Sequence, residues 1–197
     1  MSGVGALGKL LLPVIFALLG LAAAFPSTFL SGFALIQGDI GDSRFNNFLL
    51  EHSFRWLIGE QSLWSPPIFY PAQGALAFSD TLLSIAPIYW VPRLSGLDGE
   101  SSYQVLIAAL SLLNYGSFYL LTRRGLKFGI LPSAAAAFLF AFGAPRLAHI
   151  NRQQLFTQFF TVLCCYFLVE FYRAKGARDH FIFLLMAVSC LAAQAYS

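Results

Sequence analysis

Behind Lys9 the chain runs almost without interruption through apolar residues 10–36. About 20 apolar residues span a bilayer, and this run exceeds that. A cleaved secretory signal is the competing reading, because "LAAAFPS" offers small residues for cleavage. The continuation "TFLSGFALI" carries the apolar run past that point and favours an uncleaved first helix, with Pro13 and Pro26 as kink points. Further apolar stretches at residues 103–122, 129–144, 155–172 and 181–197 each predict another span. A more polar stretch, 37–102, separates the first span from the second. The pattern predicts an all-α fold: a polytopic transmembrane helical bundle forming one membrane domain over 1–197, with a large first outer loop containing two amphipathic surface helices.

The first of those helices is predicted from Asp42 to Gly59. Arg44, Asn47, Glu51 and Arg55 recur at spacings of three and four and make a polar stripe, with Phe45, Phe48, Leu49 and Trp56 as a neighbouring apolar face. Such a helix lies along a membrane surface rather than crossing it. Asp42 is placed to cap its N-terminus and Gly59 to stop it. "WSPPIFYPAQG" then predicts a rigid turn at the interface, where Trp and Tyr prefer to sit. The second surface helix is expected over 75–92. If it crossed the membrane, Arg123, Arg124 and Lys127 would fall on the wrong side of the charge pattern.

That pattern orients the bundle. Lys9, then Arg123, Arg124 and Lys127, then Arg173, Lys175 and Arg178 all fall on one predicted side, seven of the twelve basic residues. Basic residues collect on the cytoplasmic side, so the N-terminus is expected there. Seven of the nine acidic residues lie in 38–102, on the opposite side. With 58% hydrophobic and 11% charged residues and a mean hydropathy of +0.69, the chain departs from the about 25% charge of soluble domains and reads as an integral membrane protein. The net charge of +3 comes with no basic run or aromatic-basic interleaving, which excludes a nucleic-acid groove. Cys164, Cys165 and Cys190 sit inside apolar runs, without disulfide or zinc spacing.

The order is a span, acids at its outer end, a surface helix, a proline-aromatic turn, a second surface helix and more spans. Three segments carry it: "GDIGDSRFNNFLLEH", "SPPIFYPAQGALAFSD" and "FAFGAPRLAHINRQQLFTQ". The arrangement resembles the membrane-embedded GT-C glycosyltransferases, which use polyprenyl-phosphate sugar donors. The likeness is one of architecture over nearly the whole chain, with no single diagnostic motif. It implies a transfer site at the extracytoplasmic face of a membrane of the bacterial inner (plasma) membrane type, with a lipid, glycan or protein acceptor. It also implies a longer protein, of which this chain is the N-terminal part.

The resemblance puts Asp42 at the family's acid position, as a general base; a plain helix cap is the alternative. Asp39 is the second catalytic candidate. With Asp42 it offers the two carboxylates of a divalent metal site, although a solvated turn acid fits Asp39 equally. Glu51 shares the polar stripe and is placed either to face the acceptor or to pair with Arg55. His52 borders the apolar face, as a ligand or as a hydrogen-bonded interfacial residue. Asp80 interrupts an apolar segment, as a functional acid or a helix-start residue. Arg146, His149, Arg152 and Gln153 follow spacings of three and four that would put them on one helical face. Arginine's planar fork suits a donor phosphate, with lipid head groups as the alternative contact. Arg93 is a similar candidate. A transporter or channel subunit would carry ionisable groups at mid-bilayer, and the predicted spans are nearly free of them. A non-catalytic membrane scaffold is the third reading.

Overall fold

The computed structural model describes residues 6–33, 35, 38 and 41–197. Among the described residues all regular structure is helical. Helices α1 (Ala6–Ala24), α2 (Pro26–Leu30), α3 (Asp42–Leu57), α4 (Ala86–Leu94), α5 (Gly99–Leu120), α6 (Ile130–Phe142), α7 (Ala144–Leu147), α8 (Gln153–Phe156), α9 (Phe159–Arg173) and α10 (Ala177–Ala195) follow in chain order. Among the described residues four helical stretches are long and apolar enough to cross a membrane: Gly99–Gly125, Ile130–Leu147, Gln153–Arg173 and Ala177–Ala195. Each overlaps a span predicted from the apolar pattern.

The first apolar run differs from the expected single span over 10–36. It breaks at Phe25 (φ −127°, ψ 50°), and Pro26 opens the short α2. A proline disfavours helical backbone at the residue before it and suits a helix's first turn, so Pro26 divides the run instead of bending it. Pro13 stays inside α1, and its carbonyl accepts a hydrogen bond from the Tyr115 hydroxyl at 2.9 Å. Phe16 meets Phe138 at 6.1 Å between ring centroids, and Gly20 lies against Phe142, so α1 and α6 run parallel. A Cβ on Gly20 would come within 2.2 Å of the Phe142 ring.

Helix α5 is central and packs against α1, α3, α4, α6 and α9. Its buried positions, Tyr103, Leu106, Ile107, Leu110 and Asn114, recur at helical spacing. Ala134, Ala137 and Ala141 make the buried stripe of α6, and small residues let helices in a bilayer approach closely. Helix α10 covers one side of α9 and exposes Leu184, Leu185, Val188 and Leu191, an apolar surface that suits lipid. At one end of the bundle Arg173 donates to the Arg124 carbonyl at 3.2 Å, which brings two of the basic connections together.

The other end holds α3, α4 and the connections around them. Gly59 stops α3 as expected. It adopts φ +83°, its N–H bonds the Trp56 carbonyl at 3.0 Å, and Glu60 N–H bonds the Arg55 carbonyl at 2.8 Å, which together make a Schellman cap. One face of α3 packs against the rest of the bundle. Ser43, Asn46, Leu49, Leu50, Ser53 and Phe54 point inward, while Phe45, Phe48 and Trp56 are exposed. Hydrogen bonds to neighbouring segments let the small polar side chains go inside. The expected helix over 75–92 is likewise divided into a single 3-10 turn, Ala75–Phe78, and α4. Pro87 lies in the first turn of α4, while Leu82 (φ +51°) belongs to the connection and is fully buried with Ile85, Ala86 and Tyr89.

Candidate functional site

The first turn of α3 is clamped to the turn that follows α7. The Ser43 hydroxyl donates to Asn151 Oδ1 at 2.9 Å, and the Asn46 amide donates to the Asn151 carbonyl at 2.8 Å. Gly38 passes beside this clamp with φ +112°. A Cβ there would lie 2.0 Å from Asn151 Oδ1 and 2.3 Å from Ser43 Oγ, so only glycine allows the approach. The clamp sets Asp42, the first residue of α3, on the rim of a cleft of about 240 Å³. Asp80, Arg152, Gln154, Asn46 and Asn151 line the same cleft. Gln154 donates to Asp80 Oδ2 at 3.1 Å. Three of the residues predicted for a site, Asp42, Asp80 and Arg152, are therefore brought together, and all three are exposed. Two local expectations change: Gly41, not Asp42, occupies the N-cap, and Asp80 lies in a connection rather than in or at the start of a helix.

Glu51 is not free to meet an acceptor. Arg93 grips it with both edges of its fork, Nε to Oε2 at 2.9 Å and Nη2 to Oε1 at 3.0 Å. The Tyr89 hydroxyl donates to Oε2 at 2.9 Å, and Arg55 adds a longer contact of 3.5 Å. Burial alone would push the Glu51 carboxyl up. The hydrogen bonds from Arg93 and Tyr89 and the Arg93 charge outweigh it and hold the group below its ordinary 4.5. Burial, then the Glu51 charge, pushes the Tyr89 phenol up, and the Glu51 hydrogen bond raises Arg93. Arg93 also lies over the Phe54 ring at 4.8 Å. Glu51 and Arg93 thus form a strut between α3 and α4, and Arg93 is not an open phosphate binder. Sequence reasoning missed the pair because the two residues lie 42 positions apart. His52, only 3% exposed, meets Gln61 Oε1 at 2.7 Å and the Leu63 carbonyl at 3.0 Å, and fastens α3 to the following loop.

The spacing that grouped Arg146, His149, Arg152 and Gln153 is not realised as one helical face. Helix α7 ends at Leu147, residues 148–152 turn, and α8 begins at Gln153. Gln153 is 0% exposed and donates to the Tyr103 hydroxyl at 2.9 Å and the Ile150 carbonyl at 3.0 Å, which corrects its expected role in substrate binding. Arg146 and His149 line a separate recess of about 360 Å³ with Leu139, Phe140 and Pro145. Only Arg152 of the four reaches the Asp42 cleft. Asp39 lies outside the described residues.

Among the described residues no cluster of three or more His, Cys, Asp or Glu side chains forms. The described part of the cleft therefore offers a divalent ion two carboxylates at most. What it does bring together is two exposed carboxylates, a guanidinium and side-chain amides in one cleft. The clamp residues Asn46 and Asn151 were not singled out from the sequence. Their signal was weak, an amide doublet at 46–47 and an amide-rich turn at 151–154. No protein-family model matches the chain, and neither a curated protein nor a solved structure matches it.

Proposed function

We propose that the chain is the catalytic end of a membrane glycosyltransferase that moves a sugar from a polyprenyl-phosphate donor to a lipid, glycan or protein acceptor. The observation that carries this reading is the shared cleft of Asp42, Asp80 and Arg152 at the loop end of an apolar bundle. The basic connections mark the opposite end as cytoplasmic by the positive-inside tendency. The cleft then faces the extracytoplasmic side of a bacterial-type inner membrane, and the N-terminus the cytoplasm.

In the proposed step the acceptor hydroxyl oxygen attacks the anomeric carbon while the bond from that carbon to the phosphate oxygen breaks. The bonding pair leaves with the phosphate, and Asp42 takes the hydroxyl proton. A single displacement of this kind inverts the anomeric centre. Arg152 donates to the departing phosphate, whose negative charge grows as the bond breaks. Asp80, oriented by Gln154, is placed to hold acceptor hydroxyls. The polyprenyl tail has the lipid-facing apolar surface of the bundle to lie along.

The test is sugar transfer from a radiolabelled polyprenyl-phosphate sugar by the purified protein in vesicles. Loss of a positioned general base costs about 10²–10⁴ in rate, so Asp42→Asn should fall by that factor, while Arg152→Gln lowers kcat as well as weakening donor binding. Unchanged turnover in Asp42→Asn removes Asp42 from the mechanism. Absence of transfer in the wild type, with vesicle flux of a solute instead, favours the transporter reading.

A further inference from the structure

We propose that the recess at Arg146 and His149 is a binding site for a phosphate-bearing lipid head group, separate from the Asp42 cleft. The proposal goes beyond the transfer reading and does not rest on it. Arg146 lies in the short α7, after the break at Gly143 (φ −69°, ψ 156°) that ends α6. It stands at the end of a stretch apolar enough to cross a membrane, where lipid head groups are met.

Arg146 is half-buried, and no carboxylate of the described residues pairs with it. The ion pairs among the described residues are Glu51 with Arg55, Glu51 with Arg93 and Glu170 with Arg173. One face of its guanidinium covers the Phe140 ring at 4.8 Å, and Nη1 donates to the Leu155 carbonyl. Its Nε is shielded from water and has no acceptor. The guanidinium charge is thus not neutralised by a carboxylate of the described residues, and an anion in the recess that Arg146 lines meets it. His149 lines the same recess and supplies a further polar group, while Leu139, Phe140 and Pro145 supply apolar walls. Leu139 is largely exposed on the side of α6 that meets lipid. About 360 Å³ accommodates a phosphate with the glycerol attached to it. A free phosphate shares the charge and the oxygens but leaves the apolar walls uncovered.

The experiment measures thermal unfolding of the whole purified chain in a neutral detergent. Dioctanoyl phosphatidylglycerol, dioctanoyl glycerol and inorganic phosphate are each titrated. Lipid-phosphate binding predicts that phosphatidylglycerol raises the midpoint at concentrations where dioctanoyl glycerol does nothing. It also predicts that Arg146→Gln weakens the lipid's apparent affinity at least tenfold, while Arg146→Lys recovers part of it. An equal rise with inorganic phosphate at the same concentration overturns the lipid as occupant and assigns the recess to a free anion. An equal rise with dioctanoyl glycerol, or an undiminished response in Arg146→Gln, overturns the site. If Arg146→Gln does not fold, the comparison of the three ligands on the wild type still decides, and Phe140→Leu, which removes the ring behind the guanidinium, replaces it.

Discussion

Asn114 is a side chain whose loss should destabilise the bundle. The span Gln153–Arg173 is interrupted between α8 and α9, which frees backbone groups inside the apolar region. Asn114, 0% exposed on α5, answers two of them: its amide donates to the Phe156 carbonyl at 2.8 Å, and its Oδ1 accepts from Gln158 N–H at 3.0 Å. Gln194 from α10 answers a third, donating to the Thr157 carbonyl at 2.8 Å. Asn114→Leu keeps the branched outline of the side chain but leaves a carbonyl and an N–H bare. Each costs about 1–3 kcal/mol when buried without a partner. A chain unfolded within a membrane also finds partners for such groups, which holds measured interhelical hydrogen bonds to about 0.6–2 kcal/mol each. Two lost bonds therefore predict a net loss of about 2 kcal/mol. Reversible unfolding in mixed micelles of increasing SDS fraction reads this directly. Gln194→Leu strips the Thr157 carbonyl and also drops bonds with the Thr161 and Ser197 hydroxyls, so by the same per-bond scale it should cost about as much. A loss below about 0.5 kcal/mol for Asn114→Leu, within the range of an ordinary surface change, refutes the claim that the interruption depends on Asn114.

Two further outcomes follow from the loop end. Gly38→Ala should release Asn151 from Ser43 and Asn46, because the new Cβ collides with both sides of the clamp and the φ of +112° strains any other residue by about 1–3 kcal/mol; hydrogen exchange should rise in the first turn of α3 and in residues 148–152, and unchanged protection there counts against the clamp. The Glu51 carboxyl is held below its ordinary 4.5 in the folded protein, so its contribution is complete above about 4.5 and is lost as the pH falls through the lower folded value; the α3–α4 contact, followed by Trp56 and Trp90 fluorescence, should loosen only in that acid window, and Glu51→Gln should abolish the pH dependence.

The spans were legible because an apolar run of sufficient length has one economical answer in a bilayer, and the four stretches after residue 98 follow it. The division at Phe25 was half legible: Pro26 was marked as a kink, but whether a proline bends or breaks a helix depends on what packs beside it. Which face of α3 packs inward was not legible, for a definite reason. Hydrophobicity ranks Phe45 and Phe48 above Ser43 and Asn46, yet hydrogen bonds to Asn151 pull the polar pair inward, and those bonds join residues more than 100 positions apart. The same limit hid Arg93 behind Glu51. Helical spacing misled at 146–153, because periodicity carries meaning only while the helix continues, and here residues 148–152 turn. Asp42 and Asp80 share a cleft for reasons that no spacing rule contains, since 3-10 and irregular connections carry Asp80 back to the α3 terminus.

What these contacts have in common is a separation between groups that hold and groups that are offered. Helix α3 is pinned at its first turn by Ser43 and Asn46 and in its second half by Glu51, through Arg93 and Tyr89, so its position is fixed at two points. The charged residues of the cleft, Asp42, Asp80 and Arg152, are exposed. The proposed transfer must exchange acceptors and carry a proton away, which an exposed cleft allows, and a base needs a rigid support to meet a hydroxyl at about 3 Å. Arg146 has the opposite character, half-buried against an aromatic ring with its Nε shielded, which suits a long-lived lipid contact better than turnover. The two recesses flank one turn, residues 148–152, and loss of the Asn151 clamp should therefore disturb the Asp42 cleft first and leave the Arg146 recess, carried by α6 and α7, in place.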